Sequence, residues 1–309
     1  MRTAFIQELL AQSRARRDLM LLTADLGFSV LEVFRDEMPS QYLNVGVAEQ
    51  NMMGVAAGLA HLGKTVFTYS IANFPTMRCL EQVRNDVCYH NLPVRIVAVG
   101  GGFTYSSQGY THHGIEDIGV MRTLPGMVVI APGDPLETTL ATRALCDYPG
   151  PAYLRLSKAD EPRVHESIEG FQIGHAIQVC DGADVTLVST GGMLRHVVDV
   201  AEALRSRDGI QARVLSMHTV KPLDEAAIAR AIEDTGAVMT VEEHNVGSGL
   251  GAAVAPVVAQ HAGRRAAFRI FGVPDEAYSR VGSVAYMREM MGDLRSATQE
   301  LVSARRQAA

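Results

Sequence analysis

The sequence predicts an α/β protein: two three-layer αβα domains, each a mainly parallel sheet with helices on both faces. Three observations carry that prediction. Short apolar bursts alternate with helical stretches along most of the chain, the pattern of parallel strands joined by helical crossovers. The 309 residues are enough for two domains of ordinary size. Between residues 159 and 174 the sequence turns polar and punctuated without a strong period, which marks a linker. The expected domains are therefore residues 1–165 and 175–309.

The elements follow in order. MRTAFIQELLAQSRARRD reads as an amphipathic helix and not as a signal peptide, because no uninterrupted apolar core precedes its basic residues. DLMLLTAD (18–25) is a short buried strand ending in a polar turn, followed by a helix near Ser29–Glu37 and a strand near Tyr42–Val45. The next helix, over Glu49–Leu59, is made of such small apolar residues that close packing on both its sides is expected. A strand near Thr65–Tyr69, a helix near Thr76–His90 and the strand PVRIVAVGG from Pro93 come next. GMVVIAPGDPLETTLATRAL from Gly126 gives a strand, a turn and a helix, and PAYLRLSK from Pro151 is a further strand with Arg155 and Lys158 at its carboxyl end. Beyond the linker, ADVTLVSTGG, QARVLSMHTVKPLD and AVMTVEEH read as strands with their loops. MLRHVVDVAEALRSR, EAAIARAIEDTG and SGLGAAVAPVVAQHA read as helices, and a last helix is expected over Tyr286–Gln299.

Composition narrows the function classes. Apolar content of 47% with 20% charged residues describes a globular protein with a substantial core. A net charge of −6 gives no electrostatic reason to expect nucleic acid, and no run is long and apolar enough to span a bilayer. Cys79, Cys88, Cys146 and Cys180 form no CxxC pair and no metal-ligand spacing, which points to free thiols in a reducing cytoplasm.

Several positions invite a chemical reading beside a structural one. Glu49 stands at the mouth of the small apolar helix; it either favours the helix dipole or is a buried carboxylate held for use. Asp25 ends a strand, where ligands of α/β sheets gather, or caps the next helix. His112 and His113 lie in a glycine-bounded loop, GYTHHGIED, poorly suited to core packing and without a zinc-type partner spacing. Glu116 and Asp117 after them would open the following helix and meet its dipole. Arg78, Glu81 and Arg84 form one charged helix face, and Phe74 alone reads as core. Gly247-Ser248-Gly249-Leu250-Gly251 resembles a dinucleotide fingerprint only superficially, and a close helix–strand turn explains it better.

GVAEQNMMGVAAGLA resembles the segment of transketolases and related thiamine diphosphate enzymes that carries the cofactor-activating glutamate. The resemblance puts that role on Glu49, whose carboxylate would hydrogen-bond a ring nitrogen of the aminopyrimidine and favour the imino tautomer that accepts the thiazolium proton. The GYTHHGIED loop is similar to the family's GPTHHGIED-type loop, which implies that His112 lies beside the reacting carbon with His113 in support. YSIANFPTMRCLEQVRN resembles the segment closing over the pyrimidine, with Phe74 as the stacking aromatic and Ile71 where the family tends to have another aromatic. Gln108 and Tyr110 replace an acid and a proline of the family pattern, which puts an ordinary sugar-phosphate substrate in doubt and leaves room for an unusual acceptor. Lys158 stands at the family's phosphate-binding basic position; a solvated strand-end lysine is the alternative.

The resemblance covers nearly the whole chain but only the latter two thirds of a full-length transketolase. The Gly-Asp-Gly motif that holds the cofactor's metal is absent, and Pro132-Gly133-Asp134-Pro135 reads as a plain turn. The implied protein is the β-type subunit of a split transketolase, made of the pyrimidine-binding and C-terminal domains. Thiamine diphosphate would be shared with an N-terminal transketolase-type partner subunit that holds Mg2+, in an α2β2 assembly acting on a ketose donor and an aldehyde acceptor. No metal ligand is expected in this chain. The rivals are the β subunit of a 2-oxo acid dehydrogenase or another acyl-transferring member, deoxyxylulose phosphate synthase-like chemistry, and a catalytically silent regulatory subunit.

Overall fold

The computed structural model describes residues 1–158 and 161–307. Ala159 and Asp160 of the expected linker and Ala308 and Ala309 of the expected second domain lie outside the described residues. The first part of the chain runs α1 (Arg2–Ala15), β1 (Leu19–Thr23), α2 (Glu32–Glu37), β2 (Tyr42–Asn44), α3 (Glu49–His61) and β3 (Thr65–Ile71). It continues with α4 (Leu80–Gln82), β4 (Val94–Val99), α5 (Asp117–Arg122), β5 (Val128–Ile130), α6 (Pro135–Asp147) and β6 (Ala152–Leu156). The second part holds β7 (Ile177–Cys180), β8 (Val185–Ser189), α7 (Leu194–Ala203), β9 (Ala212–Ser216), β10 (Thr219–Lys221) and α8 (Glu225–Thr235). It ends with β11 (Ala237–Asn245), α9 (Leu250–Gln260), β12 (Ala267–Val273), α10 (Val284–Glu289) and α11 (Leu294–Gln307).

Two mainly parallel sheets result, with strand orders β10-β5-β6-β4-β3-β1-β2 and β12-β11-β8-β9-β7. β4, β5, β6 and β8 are buried along their whole length, as parallel strands covered on both faces must be. β10 belongs by position to the second half yet pairs antiparallel with β5, Thr219 opposite Ile130, and so closes the edge of the first sheet. β7 is likewise antiparallel, against β9. One face of the first sheet is covered by α1 and α6 through Phe5, Leu9, Ala141 and Leu145. On the other face, Met52, Ala56, Val83 and Ile118 share one continuous apolar cluster with Ile228, Ile232, Leu250 and Val254 of α8 and α9. The two sheets therefore meet through a shared inner layer of helices.

α3 shows what holds such a helix. Gly54 and Gly58 each cost about 1 kcal/mol against alanine, whereas fully burying Met52 and Met53 contributes about 1.5–3 kcal/mol apiece. Burial wins over propensity. Its other side is open, since a side chain added at Gly54 or Gly58 would meet nothing within 4 Å. The chain itself thus covers one of the two sides expected to be packed.

Some elements differ from expectation. The last helix is two, α10 and α11, because Gly292 takes φ +89°, which a continuing helix cannot, and Asp293 caps α11 through the Ser296 N–H at 2.7 Å. The helix expected over Thr76–His90 is confined to α4 and π-helical turns over Val83–Cys88; residues 72–79 form successive turns in which the Thr76 hydroxyl bonds the Ala72 carbonyl. β7, β10 and β12 were not anticipated. Pro132-Gly133-Asp134-Pro135 is a capped turn: Asp134 accepts the Glu137 N–H at 2.8 Å, and Glu137 accepts the Gly133 N–H at 2.6 Å. The glycines before α9 serve Glu242, whose buried carboxylate accepts the Leu250 and Gly251 N–H groups at 2.5 and 2.7 Å. The acceptor at that helix start is the chain's own.

Candidate active site

The site grows from the carboxyl ends of β1, β3, β4 and β6. The chain leaves β1 for β2 on one side and returns in β3 on the other, so a crevice opens where the order reverses. α3 starts over this edge, which brings Glu49 to it. The Glu49 carboxylate is 3% exposed, a costly place for a charge unless it is paired. Its partner is Arg78, whose Nη1 donates to Oε2 at 2.7 Å. Arg78 is not part of a charged helix face, because residues 72–79 form turns, from which its side chain reaches Glu49.

From that pair the contacts run on without a break. The Arg78 guanidinium lies 4.5 Å over the Phe74 ring, and Phe74 meets the His112 ring edge to face at 5.4 Å. His112 faces Tyr105 at 6.5 Å, and the Lys158 ammonium sits 5.6 Å over the Tyr105 ring. The structure therefore brings Glu49, Phe74, His112 and Lys158 into one row. Ile71 lies at its base as the last residue of β3, its carbonyl accepting the Phe74 N–H at 2.8 Å.

His112 is half-buried, and burial lowers its imidazole below the ordinary value, with His113 adding to the effect. A neutral ring at pH 7 follows. The Thr111 hydroxyl meets Nδ1 at 2.9 Å, and Nε2 has no hydrogen-bond partner among the described residues. His113 lies under the loop instead, 1% exposed, with Nε2 3.3 Å from the Ser106 carbonyl and its ring against Phe103. Asn73 ties the two segments together by donating to the Thr111 and His113 carbonyls at 3.1 and 2.8 Å.

Gln108 and Asp25 lie outside this row. Gln108 is exposed at the end of a 3-10 turn, Ser106–Gln108. Asp25 is exposed in a polar turn, where its N–H donates to Asn44 Oδ1 at 2.9 Å; it caps no helix through its carboxylate. Lys158 also borders a cleft of about 490 Å³ between the domains, shared with Ser157, Arg195, His196 and Arg288.

Asp117, Tyr153 and Arg155 hold the site in place, a role that sequence reasoning missed. Asp117 is buried and accepts from the Tyr153 hydroxyl at 2.5 Å and from Arg155 Nε at 2.9 Å, a pairing that goes beyond the expected helix-dipole contact. Arg155 also donates to the Gly114 carbonyl at 2.6 Å and, across the domain boundary, to the Glu243 carbonyl at 3.0 Å. A basic residue inside a strand as apolar as AYLRL was the available signal.

The donor set can be tested against a thiamine ring. With a proton on its ring nitrogen, as in the imino tautomer, such a ring needs a carboxylate to receive an in-plane N–H and an aromatic face to stack on. Arg78, a planar group with in-plane N–H donors, finds both at Glu49 and Phe74. The residues fit the ring half of the cofactor. For the diphosphate half, the sequence carries no Gly-Asp-Gly string.

Likeness to known proteins extends over most of the chain. Residues 1–162 match the family described as transketolase, pyrimidine binding domain, and residues 174–289 match transketolase, C-terminal domain. The chain is 41% identical over 277 residues to an apulose-4-phosphate transketolase subunit of Phocaeicola vulgatus, covering 89% of this chain and 88% of that one. It is 37% identical to a 6-deoxy-6-sulfo-D-fructose transketolase subunit of a Clostridium species, over 94% of this chain and 90% of the other. Among solved structures, a split gene transketolase described as an inactive beta4 tetramer superposes with a TM-score of 0.86 at 34% identity, covering 97% of both chains.

Proposed function

The chain belongs to the transketolase family, and on that premise we propose that it is the C-terminal, β-type subunit of a split transketolase. In this reading it transfers a two-carbon ketol unit with thiamine diphosphate, completed by a partner subunit that binds the diphosphate through Mg2+. The observation that carries the reading is a ring site, Glu49 and Phe74 beside His112, in a chain whose sequence lacks the Gly-Asp-Gly string. The similarity along nearly the full length of relatives named as subunits supports it. So does the inactive assembly described for the solved relative. An α2β2 assembly would give the open face of α3, with Gly54 and Gly58, something to pack against.

When bound, thiamine diphosphate supplies the carbon that attacks a ketose carbonyl. The chain's part is geometry and protons. Glu49 accepts a hydrogen bond from the ring, Phe74 fixes the ring plane, and Ile71 flanks it. His112 donates from Nε2 to oxygen on the reacting fragment, a role that suits a neutral imidazole in a half-buried position. His113 and Asn73 hold the loop that carries it. The two relatives act, by name, on a phosphate and on a sulfo sugar. We accordingly read Lys158 as the contact for an anionic substrate terminus, with Gln108 and Asp25 at the rim. We assign the chain to the cytoplasm, where Cys79 and Cys146, pushed up to about 12 by burial, stay as thiols.

The test has two steps. Calorimetric titration of the purified chain with thiamine diphosphate and Mg2+ should show no tight binding until the partner subunit is added. In the reconstituted complex, Glu49→Ala should lower turnover by about a thousandfold, within the range of a lost general acid–base contact. Tight binding by the chain alone, or full activity of that variant, overturns the proposal.

A further inference from the structure

We infer that Arg78 is an internal occupant of the ring site, standing in for the aminopyrimidine in the free subunit and displaced by it on loading. The inference rests on the ring-site reading above. Two requirements define that site: a group that donates in its own plane to Glu49, and a flat face to lie on Phe74. Arg78 meets both, with Nη1 2.7 Å from Glu49 Oε2 and its guanidinium carbon 4.5 Å from the Phe74 centroid. Two planar groups cannot fill the same layer over Phe74, so the ring and the guanidinium exclude each other there.

The pairing is also built to open. Arg78 is 47% exposed on its side chain, against 3% for Glu49, so the arginine can turn into water while the carboxylate stays. Only the side chain need move, because the Arg78 carbonyl is held by Gln50 Nε2 at 3.1 Å and the neighbouring Cys79 thiol bonds the Phe74 carbonyl. The arrangement gives the free subunit a way to keep a buried carboxylate paired until the ring arrives. Its cost is competition. Losing an exposed cation–π contact and a half-exposed ion pair amounts to about 1.4 kcal/mol, which corresponds to roughly a tenfold gain in ring affinity once Arg78 is removed.

The experiment titrates thiamine, which has the aminopyrimidine and no diphosphate, into the full chain and follows binding by ligand-observed NMR. Arg78→Ala and the less disruptive Arg78→Gln should each bind roughly tenfold tighter than wild type. Adding Glu49→Gln to either variant should abolish the gain. The thermal midpoint of Arg78→Ala without ligand should fall, and saturating thiamine should recover it. If both Arg78 variants bind equally or more weakly while Glu49→Gln weakens the wild type, Arg78 is no stand-in and the ring site survives. Binding absent in every variant overturns this inference alone, because a vacated ring site should then hold thiamine, whereas binding indifferent to Glu49→Gln removes the ring-site reading with it.

Discussion

Glu49 and Asp117 each meet a guanidinium over a short distance, 2.7 Å to Arg78 and 2.9 Å to Arg155, yet the two arginines differ in what else holds them. Arg155 is 5% exposed and donates to two carbonyls besides its carboxylate, one from each side of the domain boundary. Arg78 donates to Glu49 alone among the described residues and leaves almost half of its side chain in water. The same chemistry thus makes a fastening in one place and a detachable cover in the other. What separates them is the second layer of donors and acceptors, not the ion pair.

The largest effect should come from breaking the fastening. Arg155→Ala leaves Asp117 buried with only the Tyr153 hydroxyl, and removing one partner of a buried pair costs about 3–5 kcal/mol. Urea unfolding of the full chain measures it directly. A loss below about 1 kcal/mol would mean that this pair is no more binding than an exposed one.

A second test uses pH. His244 is fully buried at the junction, where it accepts the Gly119 N–H at 3.2 Å and faces Asp117 at 3.9 Å and Arg155. Burial lowers it to about 4 from an ordinary 6.5, with Asp117 opposing and Arg155 assisting. A depressed folded value means that the unfolded chain binds the proton more readily. The contribution is therefore whole above pH 6.5 and drains away as the pH falls towards 4, amounting to about 3 kcal/mol in the limit. Glu242, raised to about 7 by burial, works in the opposite sense and loses its contribution as the pH rises from 4.5 through 7. His244→Gln keeps an acceptor for Gly119 and should flatten the acid side of the stability profile. An unchanged slope between pH 6.5 and 4 would remove the junction as the source of acid sensitivity.

Much of the fold was legible because parallel strands buried on both faces announce themselves as apolar bursts. β4 and β8 are of this kind. β10 was not legible, since three residues have no period and its partner, β5, lies some ninety positions earlier. The site divides in the same way. Glu49, Phe74 and His112 were found through local strings that resemble a family pattern. Arg78 reads in sequence as part of a charged helix face, because its contact with Glu49 spans 29 positions and depends on turns over residues 72–79. His113 lies in a loop that reads as poorly suited to core packing and is instead the packed residue under it. Adjacent residues in a turn point in different directions, and composition alone cannot say which one faces out.

The smallest effect should come from the detachable pair. A double-mutant cycle over Glu49→Gln and Arg78→Gln, read by urea unfolding of the free chain, should give a coupling below about 1 kcal/mol, because the guanidinium is half-exposed and screened. Added salt should shrink it further, while leaving the cost of Arg155→Ala nearly unchanged, since screening does not reach a buried pair. A Glu49–Arg78 coupling as large as the Arg155 loss would make the two arginines equivalent. Arg78 would then be a second fastening, too strongly held to yield its place to a ring.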